Sequence, residues 1–431
     1  MKRRTLCALV LLTVLAAAFF ALSRAGAPAQ RDPIEPVSDR DFMRAELTYD
    51  ETLRTLRGTQ MLTARNRTGQ DLDEIVLRLY MNGMPGCSAY VSGAAFDGKA
   101  AAFSQDAEDP TVLRIACQWP DGEEIRLSWT VMIKHAKTDG AAAITLPSKA
   151  MFEGGAWRTD AYDDLADLSG AEAFDAMITL DGEIAAQMRM ARDASFALLP
   201  GGSAKEKEIG GVRVCALARD SGTAAMLLAG AQDALESLMD AGFPYPFDSL
   251  TVAQGGTGRE DGLALSGLIM LDADGRGEQL RRKLTRLIAR QIFGVQVGSD
   301  PWNAPWLSHT LASCAEMLAY KRLRGTAAYE ERLYGELELA TRITRPAGVC
   351  VGASTAHFGS DSEMMQVLRD QGAAMLLGVE QAVGDDAFVR ALQAYVRACA
   401  GGRGSAEALC RALEQETGSS WDGYISDMLA F

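Results

Sequence analysis

The sequence predicts an α+β multidomain protein in which an N-terminal antiparallel β-sandwich precedes a mostly α-helical domain. Three observations predict this fold class. Apolar and polar residues alternate with a period of two over 41–221, whereas apolar residues recur at helical spacing over 222–431. The length of 431 residues allows two or three domains. We therefore expect the two regions to form separate domains that pack together.

The N-terminus has the pattern of a segment that directs the chain to a membrane. Basic residues 2–4 precede an uncharged run over 5–23, which is close to the roughly 20 residues that a membrane-spanning helix needs. We expect residues 1–24 to be a signal-anchor helix at the cell membrane, with the rest of the chain outside the cytoplasm. The small residues 25–27 leave cleavage and secretion open as the alternative. Residues 25–40 read as a linker.

Short alternating segments predict the strands of the sandwich. They are RAELTYD, LRGTQMLTARN, EIVLRLYM, TVLRIACQW, EIRLSWTVMIKH and FDAMITLDG. The second region begins with a helical pattern that ends on a glycine, GTAAMLLAGAQDALESLMDAG, and contains a strand-like interlude from SLTVAQGG to GLIMLD. The same spacing predicts further helices over 277–296, 305–324, 326–342, 362–382, 385–399 and 404–417.

Composition and cysteine spacing narrow the classes of partner and site. A net charge of −14, spread along the chain, argues against nucleic acid as a partner. A hydrophobic content of 48% with 23% charged residues is typical of a globular protein. Apart from Cys7, seven cysteines lie far apart and form no CxxC motif. Cys399 and Cys410 are the only two that are close in sequence, and the disulfide pairing stays open.

Several segments, in order, resemble the membrane alanyl aminopeptidase family of zinc exopeptidases, which are gluzincins. In the first region they are YDETLRTLRGTQMLTARNRTGQDLDEIVLRLYMN and GGAWRTDAYDD, and in the second GFPYPFDSL, QIFG, PWNAPWLSHTLAS, RDQGAAML and VGDDAFVRALQAYV. The resemblance covers nearly all of the chain beyond the linker. It implies a β-sandwich followed by a thermolysin-like domain, with the substrate cleft between them.

The family's zinc site is altered at every position that the resemblance assigns to it. The family has H-E-x-x-H on one helix, with a glutamate nineteen residues after the second histidine, because two histidines four residues apart face one cation. Here Arg286 and Arg290 stand at the histidine positions, Leu287 at the general base and His309 at the ligand glutamate. A guanidinium offers no lone pair to a metal, and a leucine accepts no proton.

Two further positions that the resemblance assigns also differ. Ala264 stands where a glutamate would capture the substrate's free amine, although Glu260 and Asp261 are close enough for the alignment to slip. Arg369 stands where a tyrosine would donate to the oxyanion, three residues before Gly372. The chain has only three histidines, so it contains no other H-E-x-x-H motif. Zinc, which the resemblance implies, is therefore predicted to be absent, and no other cofactor is expected.

Two interpretations of the arginine pair remain open. In one, a local carboxylate, either Glu316 or an acidic residue from the sandwich, neutralises Arg286 and Arg290, and His309 is a hydrogen-bonded core histidine. In the other, Arg286, Arg290, His309 and Arg369 bind the carboxylate or phosphate of a ligand.

The sequence thus predicts an exported pseudopeptidase whose cleft between the domains binds a peptide or a protein partner. An active metallopeptidase with atypical metal ligands and a purely structural envelope protein are the alternatives. The chain lacks G-x-S-x-G and a Cys/His pair near the cleft, which counts against another hydrolase class.

Overall fold

A computed structural model describes residues 33–431 except residues 38, 169, 170, 274 and 276. The expected signal-anchor helix over 1–24 and residues 25–32 of the expected linker lie outside this range. No helix within the described residues is both long and apolar enough to cross a membrane. The described remainder of the linker has no strand or helix, and the first strand begins at Asp41.

Twenty strands form within the described residues. They are β1 Asp41–Asp50, β2 Thr55–Arg65, β3 Leu72–Arg78, β4 Ser88–Phe96, β5 Lys99–Ala100, β6 Phe103–Gln105, β7 Val112–Trp119, β8 Glu124–Lys134, β9 Ala142–Leu146, β10 Ser148–Lys149, β11 Phe152–Glu153, β12 Ala156–Trp157, β13 Phe174–Leu180, β14 Glu183–Ala191, β15 Ala194–Leu198, β16 Ser203–Ile209, β17 Val212–Ala218, β18 Ser249–Gln254, β19 Leu263–Leu265 and β20 Leu268–Leu271.

The N-terminal part contains two main sheets whose apolar faces share one core. A seven-stranded sheet has the order β14-β13-β1-β2-β8-β4-β5, and a four-stranded sheet has the order β10-β3-β7-β6. Strand β8 shows why they pack, because every second residue from Ile125 to Ile133 is buried in the core that both sheets line. The predicted sandwich is thus confirmed. It departs from antiparallel pairing where β1 and β13 run parallel, after a long connection of the kind that parallel neighbours need.

The C-terminal part is mostly helical. Its helices are α1 Ser221–Asp240, α2 Glu278–Arg290, α3 Trp306–Arg324, α4 Thr326–Arg332, α5 Glu338–Ala340, α6 Asp361–Met365, α7 Gly372–Val383, α8 Asp385–Cys399, α9 Ala406–Thr417 and α10 Asp422–Ala430. Three π-helical segments continue or join them, namely Gln291–Gln296 after α2, Leu333–Leu337 after α4 and Gln366–Gln371 before α7. Both segments predicted as single helices over 326–342 and 362–382 contain such a π segment.

The boundary between the two parts differs from the expected residue 222. Strands β16 and β17 belong to a five-stranded sheet with the order β16-β17-β18-β20-β19, whose other strands lie in the helical part. Sheet membership therefore places the start of this part near Ser203. The reason is that β17 pairs in parallel with β18 while α1 crosses between them, so that β17, α1 and β18 form one βαβ unit.

A buried arginine connects the two parts through hydrogen bonds. Arg192 follows β14, is 1% exposed, and donates through its guanidinium to the carbonyls of Ala171, Val295 and Val297 at 3.0 to 3.1 Å. It also donates to the carbonyl of Gly402. Two of these carbonyls lie at the end of the π segment that follows α2. Residues 34–431 accordingly form one compact unit.

Cys399 and Cys410 are not joined by a disulfide. Cys399 ends α8 and Cys410 lies in α9, which packs against α8, yet both are free thiols. The structure therefore does not form the one disulfide that the sequence spacing left open.

Candidate functional site

Helices α2 and α3 bring three of the sequence-predicted residues together. Arg286 and Arg290 are four residues apart and leave α2 on the same face, while His309 lies in the first turn of α3, which packs against α2. Their exposed fractions are 8%, 3% and 4%. Leu287 is fully buried in the apolar core of this part of the protein. Ala264, on β19 opposite Ile269, lies in the same core.

Arg286 forms a two-point ion pair with Asp261, a residue just before β19. The Nε and Nη2 atoms of Arg286 donate to Oδ2 and Oδ1 of Asp261 at 2.9 and 2.7 Å. The remaining nitrogen, Nη1, lies 3.8 Å from Oε2 of Glu316. Burial by itself raises the pKa of Asp261, but Arg286, followed by Arg369, holds that pKa well below its ordinary value. The pair is therefore charged in the folded protein.

Arg290 is paired with Asp167, which comes from the connection between β12 and β13. The Nη2 atom of Arg290 donates to Oδ1 of Asp167, and Nη1 lies 3.5 Å from the carbonyl of Gly262. Asp167 also accepts from Arg259 Nη1 at 3.5 Å and from Ser308 Oγ at 3.4 Å. Burial raises the pKa of Asp167, but the positive groups around it, with Arg290 first among them, together lower that pKa overall.

His309 is held in its neutral form. Its Nε2 atom lies 3.9 Å from Oδ2 of Asp167, which is beyond hydrogen-bond distance. Burial and the nearby guanidinium of Arg290 lower the pKa of His309 to about 3, against the partial opposition of Asp167. His309 therefore adds no positive charge to the site near neutral pH.

Arg369, in the π segment before α7, is paired with three carboxylates. Its Nη1 atom donates to Oε1 of Glu260 at 2.7 Å and to Oδ1 of Asp261 at 3.3 Å. Its Nε and Nη2 atoms each donate to the side chain of Asp370 at 2.8 Å. The four residues considered as an anion site thus lie in one cluster, but each of the three arginines is already paired with a carboxylate of the protein. This arrangement agrees with the interpretation in which local carboxylates neutralise the arginines.

Some residues of this cluster were not anticipated from the sequence. Glu316 was anticipated as a counter-charge, but its main partner is Arg332, at 2.7 and 2.5 Å. Asp167 was not identified as the acidic residue of the first part because it lies far from α2 in sequence, and Arg259 was missed because no sequence pattern links it to α2. The carboxylate-rich stretch from Asp160 to Asp167 was the available signal, since two buried arginines require nearby negative charge.

The residues at this position do not fit a zinc ion. Protein zinc sites use three or four donors with free lone pairs, usually from His, Cys, Asp or Glu. Here two guanidiniums occupy the face of α2, and the carboxylates around them are engaged with arginines. No group of three or more such donors that could hold a metal ion is found in the part of the chain that the structure describes.

A cleft of about 720 Å³ lies beside this cluster, between the two parts of the protein. One side is formed by residues of a segment without strand or helix, Arg158 to Leu168, which we call the wall segment. The other side includes Arg259, Leu263 and Asp361. Cys87 and His135 also line the cleft, so the expectation that no cysteine and histidine lie near it was wrong. Neither α2 nor Arg369 lines it. An adjoining cavity of about 490 Å³ is lined by Trp302 and again by the wall segment.

The side chain of Arg259 positions the wall segment by binding main-chain carbonyls of that segment. Its guanidinium donates to the carbonyl of Leu165 at 3.2 Å and that of Ala166 at 2.7 Å, and also to the carbonyl of Asp164. Because Asp167 is paired with Arg290 as well, this segment both forms a wall of the cleft and supplies the carboxylate that pairs with Arg290 on α2.

Comparison with known proteins finds the fold among solved structures. No protein-family model matches the sequence, and no curated protein matches it. The chain is similar to a mutant M1 zinc metallopeptidase from Deinococcus radiodurans bound to the substrate Tyr-Ser-Ala, with a TM-score of 0.60 and 19% identity over 90% of this chain and 93% of that one. It is also similar to a mutant two-domain M1 zinc metallopeptidase bound to L-arginine, with a TM-score of 0.62, 18% identity and the same coverage. At these identities, the similarity establishes the fold.

Proposed function

We propose that this chain is an aminopeptidase-like protein that does not hydrolyse peptides and keeps the cleft between its two parts to bind a peptide or a protein segment. The observation that carries the proposal is the pairing of Arg286 with Asp261 and of Arg290 with Asp167, on the helix face where the resemblance implies zinc ligands. In these pairs, the two aspartates neutralise the two arginines, so that no metal ion is needed to balance the charge.

The chemistry of the cluster supports the absence of hydrolysis. Activation of water needs either a metal that lowers its pKa or a base within hydrogen-bond reach. Leu287 cannot act as a base, and the nearby carboxylates Asp261 and Asp167 are held ionised by arginines, which makes them weak proton acceptors. An active metallopeptidase with atypical ligands would need three donors to converge elsewhere.

Metal analysis and an activity assay test this proposal together. The full-length protein is equilibrated with zinc, desalted and analysed for metal, and is then incubated with a panel of aminoacyl p-nitroanilides. We expect substoichiometric zinc and no release of nitroaniline above a protein-free control. Stoichiometric zinc together with turnover that a chelator abolishes would overturn the proposal.

We further propose that residues 1–24 anchor the protein in the cell membrane with residues 33–431 outside the cytoplasm. The uncharged run after basic residues 2–4 supports this location. Fractionation of cells followed by an alkaline wash of the membranes should leave the full-length chain in the pellet. A shortened protein in the soluble fraction would instead support cleavage and secretion.

A further inference from the structure

The charged lining of the cleft is mainly negative. Asp163, Asp164 and Asp361 line the cavity of about 720 Å³ and Arg259 is the one lining residue among the described residues with a permanent positive charge. The guanidinium of Arg259 is engaged with the carbonyls of the wall segment and with Asp167, so its charge is already compensated within the protein. The adjoining cavity adds Asp160.

The other polar side chains of the cleft do not offset this charge. His135 lines the cavity, and burial lowers its pKa, which keeps the ring neutral near neutral pH. Its Nε2 atom is hydrogen-bonded to the Tyr49 hydroxyl at 3.0 Å and its Nδ1 atom to the carbonyl of Ala136 at 2.8 Å. The three arginines of the buried cluster do not line the cavity.

Aromatic rings accompany the carboxylates. Tyr162 precedes Asp163 in the wall segment and lines both cavities, and Trp302 lines the adjoining one. The position of Tyr162 depends on Gly83, since a Cβ atom at residue 83 would lie 2.2 Å from the Tyr162 ring. The indole of Trp302 is fixed by donation from Nε1 to the carbonyl of Ala161 at 3.1 Å. Ring faces next to carboxylates favour ammonium and guanidinium groups, which interact with both.

We infer that the cleft binds a peptide segment that carries lysine or arginine side chains. This inference rests on the proposed function, because it names the ligand class of the same cleft. The volume suits several residues of an extended peptide rather than a single ion. Asp163, Asp164 and Asp361 would contact the cationic groups, and Tyr162 would contact their aliphatic stems or face the charge. This is the opposite polarity from the anion site that the sequence suggested for Arg286 and Arg290.

Calorimetric titration with three matched peptides tests the inference. The probes are a C-amidated hexapeptide with a free N-terminus in which three Lys or Arg residues alternate with Ala, its Gln counterpart, which is neutral in its side chains, and its Glu counterpart. We expect the full-length protein to bind the cationic peptide roughly tenfold more tightly than the neutral one and the acidic one least, with the difference reduced at high salt. Mass spectrometry after the titration should show intact peptides.

Paired variants separate the cleft from the net charge of the protein. Asp163→Asn with Asp164→Asn should bring the affinities for the cationic and neutral peptides to within about threefold. Glu330→Gln with Glu331→Gln removes the same charge from adjacent positions in α4 that do not line the cleft, and should preserve the preference. Equal loss of preference in both double variants would overturn the assignment to the cleft.

The outcomes distinguish this inference from the proposed function. Equal affinity for the cationic and neutral peptides would overturn the ligand class while leaving peptide binding intact. Charge-selective binding with cleavage of the peptides would overturn the proposed absence of hydrolysis and leave the ligand class intact. Failure to bind any of the three would overturn both. Competition by spermidine at the same molar concentration as the peptide would overturn the assignment to a peptide in favour of a free polyamine.

Discussion

Arg286 and Arg290 each replace, by the resemblance, a neutral histidine with a permanent charge in a buried position. The folded protein tolerates such a replacement only when a carboxylate lies next to the arginine, because an unpaired buried charge greatly lowers the free energy of unfolding. Asp261 and Asp167 meet this requirement from two different parts of the chain. The sequence revealed the arginines but not these partners, since nothing local connects position 167 with position 290.

We predict that Arg286→Met destabilises the protein by about 3 kcal/mol, because it leaves the buried carboxylate of Asp261 with only the more distant Arg369. Urea unfolding of the full-length protein measures the change. Arg282→Ala, which removes a more exposed pair with Glu336 from the same helix, should cost less than about 1 kcal/mol. Similar losses of stability in the two variants would show that the buried ion pair contributes no more than the exposed one.

The neutral state of His309 predicts a particular dependence of stability on pH. Its pKa is lowered from 6.5 to about 3 by folding, so the unfolded chain binds a proton that the folded protein does not as the pH falls below 6.5. Stability should therefore decrease on acidification from pH 6.5 to 5, by up to about 1.4 kcal/mol per pH unit from this residue. The lowered pKa values of Asp167 and Asp261 act in the same direction, but only below about pH 5, since their ordinary value is 3.8.

Unfolding experiments at several pH values with two histidine variants test this dependence. His309→Gln should reduce the decrease between pH 6.5 and 5 to the part contributed by His135, whose pKa burial also lowers. His357→Gln, a substitution of an exposed histidine, should not reduce it. A wild-type slope that persists in His309→Gln would contradict the neutral assignment of His309.

Among the elements, helices were predicted better than strands. The predicted helix over 385–399 agrees with α8 at both ends, because its apolar stripe is regular and glycine precedes it. The nine-residue α10 was missed, since it carries little periodic signal. Strands β16 and β17 were not recognised as a pair of the second part, because β16 is almost entirely exposed and shows no alternation of apolar residues. The π segments depend on packing and have no pattern in the sequence.

The hydrogen bonds of Arg192 to the end of the π segment after α2 lead to a prediction about the stability of the protein. We expect Arg192→Met to destabilise the protein by about 3 kcal/mol or more, because several buried carbonyls lose their donor at once. Arg192→Lys should recover part of this loss, since an ammonium can reach some of the same acceptors. Urea unfolding provides the measurement, and a loss below about 1 kcal/mol for Arg192→Met would contradict the role given to Arg192.

At the level of the whole molecule, the two parts share apolar as well as polar contacts. A separate core cluster combines Tyr80, Ala141 and Leu168 from the first part with Leu265 and Met270 from the second. The sequence predicted that the two domains pack together. It did not reveal how, because contacts between distant segments leave no periodicity. The same reason explains why the sequence indicated that Arg286 and Arg290 share one helix face but did not indicate the lining of the cleft.

We predict that residues 34–431 unfold in a single transition. The shared cluster and Arg192 couple the two parts, so neither should melt alone. Tryptophan fluorescence and far-ultraviolet circular dichroism of the full-length protein in urea should give coincident curves. Two separated midpoints would mean that the parts are only weakly coupled.

The hydrogen bonds between Arg259 and the wall segment have a consequence for substitutions in this segment. The hydrogen bonds to residues 164–166 are made to main-chain carbonyls, which every amino acid provides. The side chain of Asp164 can therefore be exchanged while the path of the loop is retained, whereas Asp163 also accepts a hydrogen bond from the Leu165 amide at 2.8 Å. The lining of the cleft can thus be altered by substitution at position 164 without loss of the main-chain hydrogen bonds to Arg259.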